Sequence, residues 1–178
     1  MRKLLWPFLG ILCLSALAAK SREESSDPWS AWRFLVGEWV GEGGGQPGQG
    51  TGAFSFTFDL QNRVLICKSH ADYPPTTSRP ASRHEDLMVI YFEPESKPAR
   101  AVYFDNEGHV IYYTAEFSSD WKQLTFLSDA RPGVPRFRLT YTRLDAGGIG
   151  IKFEIAPPGR PDQFSTYVQG TAQKKKPN

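Results

Sequence analysis

The sequence predicts an all-β fold, an antiparallel up-and-down barrel of about ten strands with a short N-terminal helix plugging one end. Period-two alternation of apolar and polar residues recurs through the chain from Glu38 onward, whereas only one short segment shows helical spacing. Turn-forming clusters separate the alternating runs at intervals that suit hairpins between sequence neighbours. A meander of that many strands must either expose two sheet edges or close on itself, and closure removes both.

The helix is read from Asp27 and Pro28, an N-cap and first-turn pair, followed by Trp29, Trp32, Arg33 and Val36 at helical spacing and ended by Gly37. The clearest strands have one apolar and one polar face. Phe54, Phe56, Phe58 and Leu60 alternate with Ala53, Ser55, Thr57 and Asp59, and Ile149, Ile151, Phe153 and Ile155 with Gly150, Lys152, Glu154 and Ala156. Phe137, Leu139 and Tyr141 alternate with Arg136, Arg138, Thr140 and Thr142 in the same way. Weaker runs cover 38–43, 62–72, 85–93, 99–105, 109–117, 122–128 and 163–172. Gln61-Asn62, Asp105-Asn106-Glu107-Gly108, Ser118-Ser119-Asp120 and Asp145-Ala146-Gly147-Gly148 form the short joints. Two longer connections, the glycine-rich Gly43 to Gly52 and the proline-rich Tyr73 to Arg83, are expected to flank the barrel mouth.

A chain of 178 residues has length for one domain. Hydrophobic and charged fractions of 40% and 22% are ordinary for a globular protein, and 13% aromatic suits a strand-rich interior. A net charge of +2 is too small to mark a nucleic-acid binder, and the basic run Lys174-Lys175-Lys176 reads as a solvated tail over 173–178. At the other end, Arg2 and Lys3, the apolar run Leu4 to Leu17 and Ala16-Leu17-Ala18 make a signal peptide, cleaved after Ala18. The run is too short to span a bilayer and contains Pro7, so no permanent membrane anchor is expected. The expected organisation is thus signal peptide 1–18, linker 19–27, barrel 28–172 and basic tail, in a secreted or periplasmic protein. After cleavage Cys67 is left alone in Val64-Leu65-Ile66-Cys67, which implies a buried thiol and a fold held by packing without a disulfide.

Gly37-Glu38-Trp39-Val40-Gly41-Glu42-Gly43, following a short helix, resembles the opening of the lipocalin-like (calycin) barrels, where Gly-x-Trp lies on the first strand. The extended glycine pattern and strand number are most similar to nitrobindin-type barrels and to lipocalin-like bacterial families of unknown function. The resemblance implies a barrel with a ligand site inside, and a structural place for Trp39 against the helix plug. Nitrobindins ligate haem through a histidine near the C-terminus. Here the last histidine is His109, which leaves Tyr167 as the one axial candidate on the final strand and makes haem doubtful. The Arg-x-Tyr pair by which fatty-acid-binding proteins hold a carboxylate is absent from 163–172.

Gly43-Gly44-Gly45-Gln46-Pro47-Gly48 fits a dinucleotide fingerprint in spacing, but an alternating strand follows where the phosphate site needs a helix, so a loop is expected. No nucleophile elbow, zinc-binding His-Glu-x-x-His, Cys-x-x-Cys or phosphate-loop lysine motif occurs, and neither a fixed metal nor a catalytic residue is assigned. His70-Ala71-Asp72 and His84-Glu85-Asp86 each put two polar side chains on one strand face, and His109 is placed to meet Asp105 across its turn. Tyr91, Tyr103, Tyr112, Tyr141 and Tyr167, with Arg138, His84 and His109, are the candidate polar points of a mostly apolar pocket. The expectation is a binding protein for a small hydrophobic or amphipathic molecule. The alternatives are a haem barrel or an enzyme using His84, Asp86 and His109 as acid and base.

Overall fold

The computed structural model describes residues 27–42, 51–94, 98–145 and 147–176. The stretch 1–18, on which the export expectation rests, and the glycine-rich 43–50 lie outside them. Ten strands follow one short 3-10 turn, Ser30–Trp32. They are β1 (Gly37–Glu42), β2 (Thr51–Asp59), β3 (Val64–Tyr73), β4 (Ser82–Tyr91), β5 (Ala99–Asp105), β6 (Val110–Phe117), β7 (Gln123–Ser128), β8 (Arg136–Arg143), β9 (Ile149–Ala156) and β10 (Ser165–Lys174). Every strand pairs antiparallel with its sequence neighbour, and β1 pairs with β10 to close the barrel.

The expected helix is a single 3-10 turn flanked by hydrogen-bonded turns. Its Leu35 and Val36 amides donate to the Trp32 and Arg33 carbonyls at 3.0 and 3.3 Å, the three-residue spacing of that conformation. Trp32 meets Phe92, Phe117 and Phe126 edge-on, and Arg143 donates to the Ala31 carbonyl at 2.7 Å, so this segment seals the lower end of the ring. Trp39 adds a second lock: its indole N–H donates to the Leu35 carbonyl at 2.7 Å while its ring lies parallel to that of Phe54. Gly37 between them takes φ +125°, which a side chain would strain.

The strand ends that the two long connections join, Glu42 and Thr51, Tyr73 and Ser82, lie at the opposite end of the ring. At the lower end β2 turns into β3 through Leu60, Gln61 and Asn62, all left-handed, with Arg63 donating to the Asp59 carbonyl. β10 runs on to Lys174, opposite Trp39, and Lys175 pairs with Glu38 at 2.8 Å. The start of the expected basic tail is therefore strand, because the closing ladder needs those residues as partners for β1.

Cross-strand register sorts side chains into lumen and outer face. Phe56, Cys67, Met88 and Tyr103 pair in sequence around one wall. Phe126, Leu139 and Phe153 do so on the other. Outside, Arg138 on β8 sits directly opposite Glu154 on β9 and donates to it at 2.7 Å, with Lys152 at 2.8 Å from the same carboxylate. Glu154 is only 5% exposed, because Phe164 folds back over the Arg138 guanidinium at 4.1 Å. The Arg138 hydrogen bond outweighs burial and, with Lys152, brings the Glu154 carboxyl down from 4.5 to about 2. A depressed carboxyl contributes stability that is present above its unfolded value and lost as pH falls through the folded one. Glu154→Gln is therefore expected to lower the unfolding free energy by about 2 kcal/mol at neutral pH, allowing for the solvent on both cations. Denaturant titrations across pH should show the difference shrinking from pH 4.5 towards 2.

Candidate functional site

The lumen changes character along its axis. At the sealed end Phe56, Leu65, Ile90, Leu124 and Phe126 are wholly buried, as close-packed as a domain core. Towards the mouth the inward residues Phe54, Leu139, Ile151, Phe153 and Val168 are only half-buried. An inward side chain of a closed ring keeps accessible surface only by bordering space that solvent can enter. Tyr141 marks the boundary. From β8 it meets Phe54 and Phe56 on the far wall, and its hydroxyl hydrogen-bonds the Cys67 thiol.

One side of this cup is apolar and aromatic, built from β8, β9 and β10, with Phe137 and Phe153 stacked at 6.0 Å. The other is polar and comes from β3, β4 and β5. Ser69 donates to Asp86 Oδ2 at 2.5 Å, and His84 Nε2 lies 3.7 Å from the same oxygen. Asp86 Oδ1 has no partner among the described residues. Tyr103 Oη lies 3.1 Å from His84 Nε2 and 3.4 Å from Asp105 Oδ2. The second ring nitrogen of His84 faces Glu107 Oε1 at 3.1 Å. An ionised Glu107 only accepts, which puts a ring proton on Nδ1; a second proton on Nε2 makes the ring a cation facing Asp86. Asp105 ends the chain of contacts, taking the His109 ring nitrogen at 2.8 Å and the His109 amide at 2.9 Å.

Burial dominates the electrostatics. It raises the Asp86 carboxyl, with the Ser69 bond and His84 opposing and Asp105 adding. It also raises the Tyr103 and Tyr113 hydroxyls, and for both the charge on Asp86 adds. Burial pulls Asp105 the same way, but the amide and ring of His109 and the amide of Glu107 outweigh it and hold that carboxyl low. Cys67 is pushed up by burial and then by Asp86, so its thiol stays protonated at neutral pH.

Of the residues singled out in the sequence, His84, Tyr103 and His109 come together here, and Tyr141 forms the floor. Tyr167 sits at the bulge where β10 shifts register against β9, at the mouth, edge-on to Phe153. Tyr91 and Tyr112 lie on the outer face, beside the inward Ile90 and Tyr113, and Arg131 covers the Tyr112 ring. Arg138 is outside too, in its pair with Glu154. His70 and Asp72 share a face, as the spacing implied, but it is the outer one, where they stand 3.8 Å apart and Arg83 bonds Asp72. Ser69 was not singled out, although its pairing partner across the β3–β4 hairpin is Asp86. That hairpin register was the only signal that could have found it. Among the described residues no group of His, Cys, Asp and Glu has the arrangement of a metal site.

The fold defines a class, the closed ten-stranded antiparallel meander barrel. The chain matches no protein-family model and none of the curated proteins.

Two outcomes follow from the buried groups. Asp86→Asn removes a charge whose carboxyl is raised by burial, a cost absent at low pH and incurred as pH rises through the folded value. The variant should therefore be more stable than the parent near neutrality and lose that advantage in acid, read by thermal unfolding at several pH values. In a chain with Cys13→Ser, Cys67 should resist a thiol reagent while folded and react at once in denaturant; rapid labelling of the native protein would contradict its place in the core.

Proposed function

We propose that the chain is an exported, lipocalin-like carrier of a small amphipathic molecule, held with its apolar part against β8, β9 and β10 and its polar part towards His84, Tyr103 and Asp86. One observation carries this reading: inward aromatic and aliphatic side chains are left partly uncovered opposite a half-buried polar wall, above a sealed base. An empty apolar surface inside a closed ring costs free energy that a ligand recovers by displacing water, at roughly 25 cal/mol per Å². At the rim, Thr51, Asp72, Tyr73, Pro74 and Arg83 border an open groove of about 530 Å³. Export rests on the signal-peptide pattern of residues 1–18.

A second reading has support from one contact chain. His109, Asp105, Tyr103 and His84 form a continuous set of hydrogen-bond partners from solvent to the cup, the arrangement by which a buried base exchanges protons. It would make the cup a reaction chamber for the same class of molecule.

Native mass spectrometry after mild purification should show retained small molecules, and Nile red should gain fluorescence on binding. Val168→Trp, which fills the apolar wall, should remove most of that gain. A parent protein that neither retains a ligand nor takes up the dye contradicts the binding reading. Turnover that is lost on His84→Ala in a folded protein would favour the second.

A further inference from the structure

Resting on that binding reading, we infer that the cup selects a cationic, hydrogen-bond-donating head group, an amine, over a carboxylate or phosphate. The register places no lysine or arginine among the inward residues of the mouth half. On β3 to β5 the inward positions there are Ser69, Ala71, Tyr73, His84, Asp86, Tyr103 and Asp105, while Lys68, Arg83 and Arg100 fall on the outer face. On β8 and β9 Arg138 and Lys152 are engaged outside with Glu154. The inward Arg143 and Lys174 belong to the sealed end, where they lie over Phe34 and Trp39. The 43–50 connection contains no charged residue in its sequence. Arg79 stands at the rim over the Tyr73 ring.

The polar wall is also rich in acceptors and poor in free donors. The Ser69 hydroxyl is committed to Asp86, and the Tyr103 hydroxyl donates to Asp105. Asp86, with its side chain 16% exposed, offers an oxygen that no described residue engages. An ammonium group brings the donors this oxygen lacks and neutralises a carboxylate that burial leaves undercompensated. A carboxylate brings only further acceptors and like charge. The aromatic rings of the opposite wall, Phe137 and Phe153, add faces that favour a cation. One field sums these effects, since Asp86 acts on Cys67, Tyr103, Tyr113 and Tyr141 to disfavour any further negative charge in the lumen.

The test is competition against bound Nile red, a neutral probe, with n-decylamine, n-decanol and n-decanoate at neutral pH. The amine should displace the dye at a concentration about tenfold lower than the alcohol, with the carboxylate weakest. Without Arg2 and Lys3 of the signal peptide the chain carries equal numbers of basic and acidic side chains, so net charge favours neither head group and the order reports the cup. Asp86→Asn should bring the amine to alcohol ratio close to one, both ligands being measured on the same variant. Dye uptake with a level or reversed series overturns the head-group inference alone, as does an amine preference that survives Asp86→Asn. Absence of dye uptake overturns the binding reading and this inference with it. Should the variant fail to fold, the series on the parent chain decides.

Discussion

Pairing of β1 with β10, from Trp39 opposite Lys174 to Glu42 opposite Thr171, turns a linear run of hairpins into a ring, and the remaining features depend on it. Without that ladder the two terminal strands would present unpaired N–H and C=O groups, and the alternating side chains would line two faces of an open, twisted sheet. With it, one parity of every strand is enclosed. Trp39 serves the closure twice, within the ladder and through its bond to the Leu35 carbonyl, which fastens the sealed base to the first strand. The closing strand cannot end where its hydrophobic pattern does, and so β10 carries Gln173 and Lys174 into the sheet.

Enclosure makes two environments from one sequence pattern. Below Tyr141 the inward side chains meet across the ring and leave no room, and the energetic return is that of a domain core. Above it, the inward side chains are only half-buried. Polar groups can stay inside there because each is tied to a neighbour: Ser69 to Asp86, Tyr103 to His84 and Asp105, Asp105 to His109. Asp86 is the costly member, its charged form penalised by burial and only partly relieved by Ser69 and His84.

Much of the barrel was legible in the sequence, since strands with one apolar face declare their register. Phe54, Phe56 and Phe58, and Ile149 to Ile155, could face only inward on alternate positions, and the turn clusters fixed the hairpins between them. The candidate site was less legible for the same reason inverted. In Val-Ile-Tyr-Tyr-Thr both Tyr112 and Tyr113 are plausible inward residues, and only the pairing of Tyr113 with Ala101 and of Tyr112 with Val102 separates them. Arg138 alternates with Phe137, Leu139 and Tyr141, which places it outside by parity, and Glu154 stands opposite it there. The His84-Glu85-Asp86 spacing did carry the polar wall, because two residues apart on a strand is one face. The short helix is present as a 3-10 turn: the nine residues from Pro28 to Val36 are fewer than a self-sufficient α-helix needs, and tertiary contacts of Trp32 hold the segment in place.

The division of the lumen at Tyr141 is the claim on which both the carrier reading and the amine preference stand. A high-resolution crystal structure of the ligand-free protein measures it directly through ordered solvent. The account predicts water molecules, or a captured ligand, between the Tyr103 hydroxyl and the Phe153 ring, and none between Tyr141 and Trp32. Side chains of the two walls packed against each other in the mouth half, with no solvent between them, would contradict it.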